Sequence, residues 1–405
     1  MKVLHVIPSI SPALGGPTYV VLNLVKALRE CGVDAEIATT NDDGFNFLDV
    51  PFNQRVDYTT ETPEKITVPV WFSPRFSPPL KEFIFSPVMT QWLWQRIQNY
   101  SVVDNHYLFS YAPTCAAAIA QHYNIPYTVR TMGQLTPWAL AQSRLKKQIY
   151  TLLIERRNLN RAAAIHCTAI DEAKDVRRFG IKAPTVTLPL GVHLPVLQPN
   201  AKQKLHQRYG IPSNRSIVLF LSRLHYKKRP EVLLRSLRQL IAQNQDVHLI
   251  LAGSGEAEYV DSLMHLMSSL GIAAHTTFVG FVTGSEKDLL LQGSDLFALP
   301  SFSENFGVAI AEAMAAQLPV VITPGIQIAT DVANAKAGLV VEGEVEAFTQ
   351  AIAQLLDSAT LREQLGQNGR TFASYNYSWK SIALHLAEVY TLIIENQRLP
   401  HDIVF

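Results

Sequence analysis

The chain has 405 residues, of which 48% are hydrophobic and 17% are charged, and its formal net charge at pH 7 is +1. This length exceeds the size at which a single hydrophobic core usually stops growing, so we expect two domains, and the apolar fraction excludes a disordered chain. The near-neutral charge provides no general attraction to nucleic acid or anionic membrane, so any basic site must be local and no nucleic-acid partner is expected.

The three cysteines, Cys31, Cys115 and Cys167, are far apart and form no Cys-x-x-Cys pair. This spacing argues against a disulfide framework or a structural zinc site and favours reduced thiols. Segment 1–8 has one basic residue and a short apolar run, which is typical of a first strand and not of a signal peptide. Because no uninterrupted apolar stretch reaches about 18 residues, we expect no transmembrane helix. The expected reduced thiols favour a cytoplasmic location.

Short apolar runs alternate with helical patterns along the whole chain. The first half predicts strands at 3–7, 35–39, 102–105, 127–130, 164–167 and 185–188, and helices at 18–31, 112–123 and 144–161. The second half predicts strands at 217–221, 248–252, 276–279, 296–299, 320–323 and 338–341, and helices at 230–243, 259–270, 285–292, 307–316 and 345–358. Continuous apolar strands between amphipathic helices indicate parallel sheets covered on both faces, hence two doubly wound α/β domains.

Two stretches interrupt this alternation. Segment 190–199 contains a glycine and two prolines, which break regular structure, so it is the predicted domain boundary. Segment 51–79 is rich in Pro, Thr and Phe with poor periodicity, and is interpreted as a long insertion or loop in the first domain.

A paired-glycine turn, with Gly15 and Gly16, lies between the first strand and its helix. Such glycines allow the backbone to approach a ligand closely. The pattern is neither Gly-x-Gly-x-x-Gly nor a P-loop, which disfavours a nicotinamide oxidoreductase. A similar turn at 251–256 either lines a nucleotide pocket or is a tight connection, and the connection is slightly favoured.

His106 ends a predicted first-domain strand. A histidine at the carboxyl edge of a strand can contact a ligand, although a histidine satisfied in the core is the commoner case. The helix predicted at 144–161 has six basic side chains against one acid, Glu155, and an apolar stripe. It either lies on anionic lipid or presents a solvated face. The aromatic segment 81–98 offers an acceptor or membrane surface, or packs on the core, which is favoured.

A basic stretch follows the first strand of the second half. The cations are Arg223, Lys227, Lys228 and Arg229, directly before Pro230, a residue suited to the first turn of a helix. Four cations at the carboxyl edge of a strand form a diphosphate clamp, or alternatively a solvated basic loop.

The most informative stretch is 300–314, where a turn carries Glu304 and the following helix carries Glu312. Ligands of open α/β sheets bind beyond the carboxyl ends of the strands, and a helix N-terminus offers free N–H groups to a phosphate. One carboxylate could hold sugar hydroxyls and the other a ribose diol. The alternative is a helix-start charge and a solvated glutamate, but Glu312 lies among core-type residues, where a carboxylate needs a partner.

Together these stretches resemble the family-4 retaining glycosyltransferases over nearly the whole chain. The Glu-x7-Glu box from Glu304 to Glu312 is the most specific match, followed by Arg223 and Lys228, the glycine loop and His106. Segment 133–140 with Lys146 and Lys147 is similar to a bacterial polysaccharide-type subgroup, and 375–392 is similar to a terminal segment that crosses back onto the first domain. Four positions depart from the family pattern: Met132, Leu190, Arg229 and Gln317.

The resemblance implies a GT-B fold, with two Rossmann-like domains facing across a cleft. The first domain is 1–192 with a returning helix at 376–405, and the second is 193–375. The implied reaction moves a hexose, with retention, from a nucleoside-diphosphate sugar to a hydroxyl of a glycan, lipid-linked or small-molecule acceptor in polysaccharide or glycoconjugate biosynthesis. No obligatory metal or cofactor is expected because no Asp-x-Asp motif is present. Peripheral contact with the inner face of the membrane through 144–161 stays open.

The resemblance also assigns the site residues. Glu304, His106, Arg223 and Lys228 are the expected catalytic residues. The expected residues for the sugar donor are Gly15, Gly16, Arg223, Lys228, Glu304, Phe306, Gly307, Val308 and Glu312. The alternatives are a hydrolase that uses the two glutamates, a sugar-nucleotide epimerase of the same fold, and a non-catalytic partner subunit.

Overall fold

The computed structural model describes residues 1–12, 16–44, 46–60, 65–76, 84–136, 140, 154–395, 399–400 and 402–405. The chain forms two compact units. The first unit comprises Met1–Gly191 and Trp379–Phe405, and the second comprises Val192–Ser378. Both are built from parallel sheets and helices, as the alternating pattern predicts.

The first unit contains strands from both ends of the chain. They are β1 Lys2–Ser9, β2 Asp34–Thr40, β3 Asp42–Asp43, β4 Asn46–Phe47, β5 Arg55–Thr59, β6 Thr67–Ser73, β7 Val102–His106, β8 Tyr127–Arg130, β9 Ala164–Cys167, β10 Thr185–Thr187 and β17 Asp402–Val404. Its helices are α1 Gly16–Glu30, α2 Pro87–Arg96, α3 Tyr111–His122, α4 Arg156–Arg161, α5 Ile170–Arg178 and α14 Trp379–Ile394.

Nine of these strands form one sheet in the order β17-β10-β9-β8-β7-β1-β2-β6-β5. All neighbours are parallel except β5 and β6. The order reverses between β1 and β7, so the connection that follows β1 and the loop that follows His106 leave the sheet at its switch point. Apolar side chains cover both faces; one face packs on α1 and α14, and the other on α2 and α3.

The prediction of a loop at 51–79 was wrong, because β5 and β6 lie there. Strand β6 is almost wholly buried, pairing parallel with β2 and antiparallel with β5. Pro69 stands inside β6, and proline is normally evidence against an interior strand. Strand β5 has only exposed or half-buried residues, so no apolar run marked it.

The second unit has a six-stranded sheet, and all its neighbouring strands are parallel. The strands are β11 Ser216–Leu221, β12 Val247–Ala252, β13 Thr276–Gly280, β14 Leu296–Leu299, β15 Val320–Ile322 and β16 Gly338–Val340. The helices are α6 Ala201–Tyr209, α7 Pro230–Ala242, α8 Ala257–Ser269, α9 Gly284–Gly293, α10 Val308–Ala315, α11 Ala329–Asn334, α12 Val345–Leu356 and α13 Ala359–Asn376. All six predicted strands are confirmed, with ends within two residues.

The strand order of the second sheet is β13-β12-β11-β14-β15-β16. The order therefore reverses between β11 and β14, which are direct neighbours. In a doubly wound sheet, helices leave opposite faces on the two sides of this point, and the loops that follow the two strands flank a crevice. The sequence motifs at 222–230 and 300–307 occupy these two loops.

Candidate functional site

The two loops at the switch point of the second sheet are held together by backbone contacts. We call 223–229 the basic loop and 300–307 the acidic loop. The amide of Phe302 donates to the carbonyl oxygen of Lys227 at 2.9 Å, and the buried Ser301 hydroxyl donates to the same oxygen at 3.1 Å. These hydrogen bonds therefore bring the predicted cations of the basic loop close to the acidic loop, which carries the predicted carboxylate Glu304.

Lys228 and Glu304 join the loops through their side chains. The Lys228 ammonium donates to Oε1 of Glu304, and both side chains are largely buried. Burial lowers the pKa of the adjacent Lys227; the charges of Lys228 and Arg223 lower it further, while Glu304 opposes them. Arg223 is exposed. The basic and acidic loops thus combine a paired cation and carboxylate with an exposed guanidinium on the basic loop, as a site for a charged ligand requires.

Two glycines let the loop after β12 pack against the basic loop. A Cβ on Gly253, which has φ +144°, would lie 1.9 Å from the carbonyl oxygen of Ser222. A Cβ on Gly255 would lie 2.2 Å from that of Leu224, and the Leu224 amide donates to Ser254 at 2.8 Å. The glycines of 251–256 therefore form a tight connection that packs against the backbone on both sides of Arg223.

Arg229 occupies the position where the resembled family often has glycine. Its backbone is left-handed, with φ +55°, and its guanidinium lies 4.4 Å from the centre of the Phe302 ring. A Cβ on Gly343 would approach the Arg229 Nη1 atom within 2.2 Å. The side chain is thus accommodated by a neighbouring glycine and adds a cation–π contact between the two loops.

The helix after the acidic loop begins at Val308, and the left-handed Gly307 precedes it with φ +87°. Phe306 is 2% exposed, and its ring contacts that of Tyr377. The Phe306 side chain therefore anchors the turn in the core, and only its backbone is suited to meet a ligand. The first N–H groups of this helix point toward the end where the acidic loop joins it.

Glu312 is the fifth residue of α10, about one turn past its start, and the neighbouring positions Ala311 and Ala313 are fully buried. This carboxylate was expected to have a partner, and the structure shows that the partner is Lys287 of α9, whose Nζ atom donates to Oε1 at 2.7 Å. Sequence reasoning required a partner for Glu312 but missed Lys287. No local pattern could identify it, because the two residues belong to helices that follow different strands.

His106, expected near the transferred sugar, is fully buried at the end of β7. Its Nε2 atom lies 3.0 Å from Nδ1 of His5, and its own Nδ1 atom has no hydrogen-bond partner among the described residues. Tyr107 and Phe109 directly after it have φ values of +83° and +54°. Gly16 begins α1, whereas Gly15 lies outside the described residues.

His106 belongs to a buried polar layer on one face of the first sheet. We define this layer as His5, Asp104, His106, Arg130, His166 and Tyr390, all of which are at most 4% exposed. Strand register aligns His5 with Asp104, and it also aligns Arg130 with both His106 and His166. The Asp104 carboxylate accepts from Arg130 Nε at 3.0 Å and from the Tyr390 hydroxyl at 2.6 Å.

Burial sets the protonation of this layer. It lowers the pKa of His5 to about 4 and that of His166 to about 3, and it holds the pKa of His106 well below its ordinary value. Burial alone would raise the pKa of Asp104, but the Arg130 guanidinium holds that pKa well below its usual range. Near neutral pH the layer therefore contains neutral histidines around one buried ion pair.

His5, Asp104 and His106 also have spacing that suits metal ligands, with ligand atoms within 4.8 Å of one another. However, the Asp104 Oδ2 atom is already engaged by Arg130 and Tyr390. A second positive charge beside the guanidinium would be repelled, so the geometry fits Arg130 as the cation of this cluster.

The membrane and acceptor surfaces expected from the sequence lie partly outside the described residues. Residues 144–153, which include Lys146 and Lys147, lie outside the described residues. The described remainder of 144–161 includes the short helix α4. Within 81–98 the described part forms α2, which packs on α3. Among the described residues, no helix combines the length and the apolarity needed to cross a bilayer.

Family models match both units. The model described as glycosyl transferases group 1 matches residues 201–372, and the model described as glycosyl transferase 4-like domain matches residues 15–191. The D-inositol 3-phosphate glycosyltransferase 2 of Catenulispora acidiphila is 30% identical over 312 residues, covering 74% of this chain and 72% of that protein. The GDP-mannose-dependent alpha-(1-6)-phosphatidylinositol monomannoside mannosyltransferase of Mycolicibacterium smegmatis is 31% identical over 221 residues, covering 52% and 57%.

Solved structures share the fold. HepE of Anabaena, in complex with UDP, is 20% identical with a TM-score of 0.75, covering 96% of this chain and 100% of that one. Sucrose-phosphate synthase of Thermosynechococcus elongatus is 18% identical with a TM-score of 0.74, covering 98% and 100%.

Proposed function

The chain belongs to the family-4 glycosyltransferases of GT-B fold, and from this premise we propose that it is a retaining hexosyltransferase that uses a nucleoside-diphosphate sugar. The acceptor in this proposal is a hydroxyl of a glycan, a lipid-linked molecule or a small molecule. One observation carries the proposal: the basic and acidic loops meet at the switch point of the second sheet through Lys228 and Glu304.

The diphosphate of the sugar donor binds the basic loop and the start of α10. Arg223 is exposed and offers a planar fork of N–H groups, and Lys228 supplies a compact charge on the same loop. The backbone N–H groups at Phe306, Gly307 and Val308 add the positive end of the helix dipole. These groups stabilise the negative charge that develops on the leaving diphosphate.

The two glutamates orient the rest of the sugar donor. Glu304 accepts hydrogen bonds from hydroxyls of the transferred hexose while Lys228 keeps its charge paired. Glu312 accepts from the ribose hydroxyls of the nucleotide. Both carboxylates are engaged by lysines and neither is placed as a free nucleophile, which supports transfer over hydrolysis by a carboxylate pair.

In the proposed reaction the acceptor oxygen forms a bond to the anomeric carbon as the bond from that carbon to the diphosphate oxygen breaks. The acceptor attacks from the face that the diphosphate leaves, so the anomeric configuration is retained. The acceptor proton passes to an oxygen of the departing phosphate. This chemistry uses charge stabilisation by Arg223 and Lys228 and requires no side-chain nucleophile and no obligatory metal ion.

In the proposal His106 contacts the hexose, as the resemblance to the family implies. Because it is fully buried in this structure, the contact requires movement of the backbone that follows it. Tyr107 and Phe109 hold that segment in left-handed conformations, and such strained positions are common where a loop changes during function.

The test is a thermal-shift screen of UDP-, GDP- and ADP-sugars followed by transfer assays. One relative uses GDP-mannose according to its name, and HepE was solved with UDP, so the panel spans these bases. Acceptors begin with inositol phosphate and phosphatidylinositol mannosides, named for the relatives. We expect one sugar donor to stabilise the protein and to lose this effect in Lys228→Ala and Glu312→Ala, but not in Lys202→Ala.

Two results contradict the proposal. No stabilisation by any nucleotide sugar, or an equal response of the Lys228→Ala variant, would remove the assigned site. A product whose anomeric configuration is opposite to that of the sugar donor, measured by NMR, would remove the retaining mechanism.

A further inference from the structure

Glu312 and Lys287 form an ion pair between two helices of the second unit. The Lys287 Nζ atom lies 2.7 Å from Glu312 Oε1, and the side chains are 25% and 14% exposed. The other described inter-element lysine pair of this unit outside the switch-point loops, Lys202 with Asp295, leaves its lysine 49% exposed. The side chain of Lys287 is thus less exposed to solvent than that of Lys202.

The surroundings of Glu312 explain why this partner matters. Its helix α10 buries Ile310, Ala311, Ala313, Met314 and Ala315, so the carboxylate emerges from an apolar face. A charged group there has lost much of its hydration and needs a nearby opposite charge or hydrogen-bond donor. Lys287 supplies both from α9, which follows β13, and it lies 25 positions before Glu312 in the chain.

We propose that Lys287 is a positioning residue for nucleotide ribose, acting through Glu312. The inference rests on the proposed function, in which Glu312 binds the ribose hydroxyls. A carboxylate has about four lone-pair sites, so one contact with Lys287 leaves others free for a diol. The lysine fixes the orientation of the carboxylate before the nucleotide arrives, which reduces the side-chain ordering that binding requires.

The arrangement gives each glutamate of the box its own lysine. Lys228 pairs with Glu304 across the two loops, and Lys287 pairs with Glu312 across two helices. Lys228 is also proposed to meet the diphosphate, whereas Lys287 is proposed to have no contact with the ligand. Loss of Lys287 should therefore affect recognition of the ribose alone.

The experiment compares binding of UDP, GDP and ADP with binding of their 2′,3′-dideoxy counterparts by calorimetry. In the wild-type protein the ribonucleotide that binds should do so about tenfold more tightly than its dideoxy form, because charge-assisted hydrogen bonds are lost. In Lys287→Met this preference should fall toward onefold while the dideoxy affinity stays unchanged. Lys287→Arg should restore much of the preference, and Lys202→Met should keep all of it.

The outcomes separate the two levels of inference. If a ribonucleotide binds and Lys287→Met keeps the wild-type preference or binds the ribonucleotide more tightly, the role of Lys287 is overturned and the sugar-donor site stands. If none of the three nucleotides binds the wild-type protein, the site itself and the role of Lys287 are both overturned. A similar loss of ribonucleotide and dideoxy affinity in Lys287→Met would indicate a structural effect and also overturns the proposal.

Discussion

The hydroxyl of Tyr390 donates a hydrogen bond of 2.6 Å to Oδ2 of Asp104, although 286 positions of the chain separate the two residues. The same carboxylate oxygen accepts from Arg130 Nε at 3.0 Å. Tyr390 and Asp104 are fully buried, and Arg130 is nearly so. The bond ties the C-terminal helix α14 to the centre of the first sheet.

Replacing Tyr390 with phenylalanine should lower the free energy of unfolding by about 1–3 kcal/mol. The ring would be kept, but a buried carboxylate oxygen would lose one donor and remain away from water. Denaturant unfolding of Tyr390→Phe against wild type measures the difference. Tyr375→Phe is the matched control because Tyr375 is 75% exposed. Equal stability of the two variants would show that the Tyr390 hydroxyl contributes little.

Acidification should destabilise the first unit between about pH 6.5 and pH 4. In the unfolded chain the histidines take up protons near pH 6.5, whereas burial lowers the folded pKa of His5 to about 4 and that of His166 to about 3. Below pH 6.5 the unfolded state therefore binds more protons, and stability is lost as the pH falls. The nearby Asp104 and Arg130 keep their charges across this window.

The test of this acid sensitivity is His166→Leu, since neither ring nitrogen of His166 has a hydrogen-bond partner among the described residues. The fall in melting temperature between about pH 7 and about pH 5 should become shallower than in wild type. The exposed His265 provides a control as His265→Gln, which should keep the wild-type slope. An unchanged slope in His166→Leu would place the acid sensitivity elsewhere.

Glu304→Gln should reduce kcat/KM for the sugar donor at least about tenfold, because charge-assisted bonds to the hexose hydroxyls are lost. The affinity for the nucleoside diphosphate without its sugar should fall much less, since in the proposal Glu304 contacts the hexose and affects the diphosphate only through its partner Lys228. Initial rates and calorimetry give the two quantities, with Glu258→Gln as an exposed control in the same unit. An equal loss for both ligands would argue against a sugar-specific role.

Gly253→Ala should lower stability by about 3 kcal/mol or more and weaken binding of the nucleoside diphosphate. Its Cβ would meet the Ser222 carbonyl oxygen at 1.9 Å, and either the backbone or the basic loop must move. Gly271→Ala is the comparison: Gly271 also has positive φ, +68°, but a Cβ there meets nothing within 4 Å. Similar melting temperatures for the two variants would show that the loops tolerate the added methyl group.

The six strands of the second unit were predicted closely because their signals are local, whereas the helices α6, α11 and α13 were not predicted. Most of these strands contain a continuous apolar run, although β13 begins with Thr276 and Thr277, and the turn from Pro300 to Gly307 marks both the end of β14 and the start of α10. The motifs that follow β11 and β14 also predicted which side chains share an edge. That follows from parallel topology, since carboxyl ends of parallel strands lie together.

What the sequence could not predict depends on contacts between distant segments. Pro69 argued against the buried strand in which it lies. Lys287 pairs with Glu312 from another helix. His106 packs against His5, which is 101 positions away on another strand. A histidine at a strand end has the same local pattern whether it faces ligand or core. The polar layer beneath α14 emerges only once the register of four strands is set.

The first sheet receives β17 and the Tyr390 bond from the last residues of the chain. Because the ribosome synthesises residues in order, the whole of Val192–Ser378 is made before α14 and β17, which complete the first unit. Its final contacts therefore have a large sequence separation, which slows the step that forms them. Nascent chains that still lack α14 would expose the face of the first sheet on which α14 packs. Chaperones should therefore bind mainly while Val192–Ser378 is being synthesised.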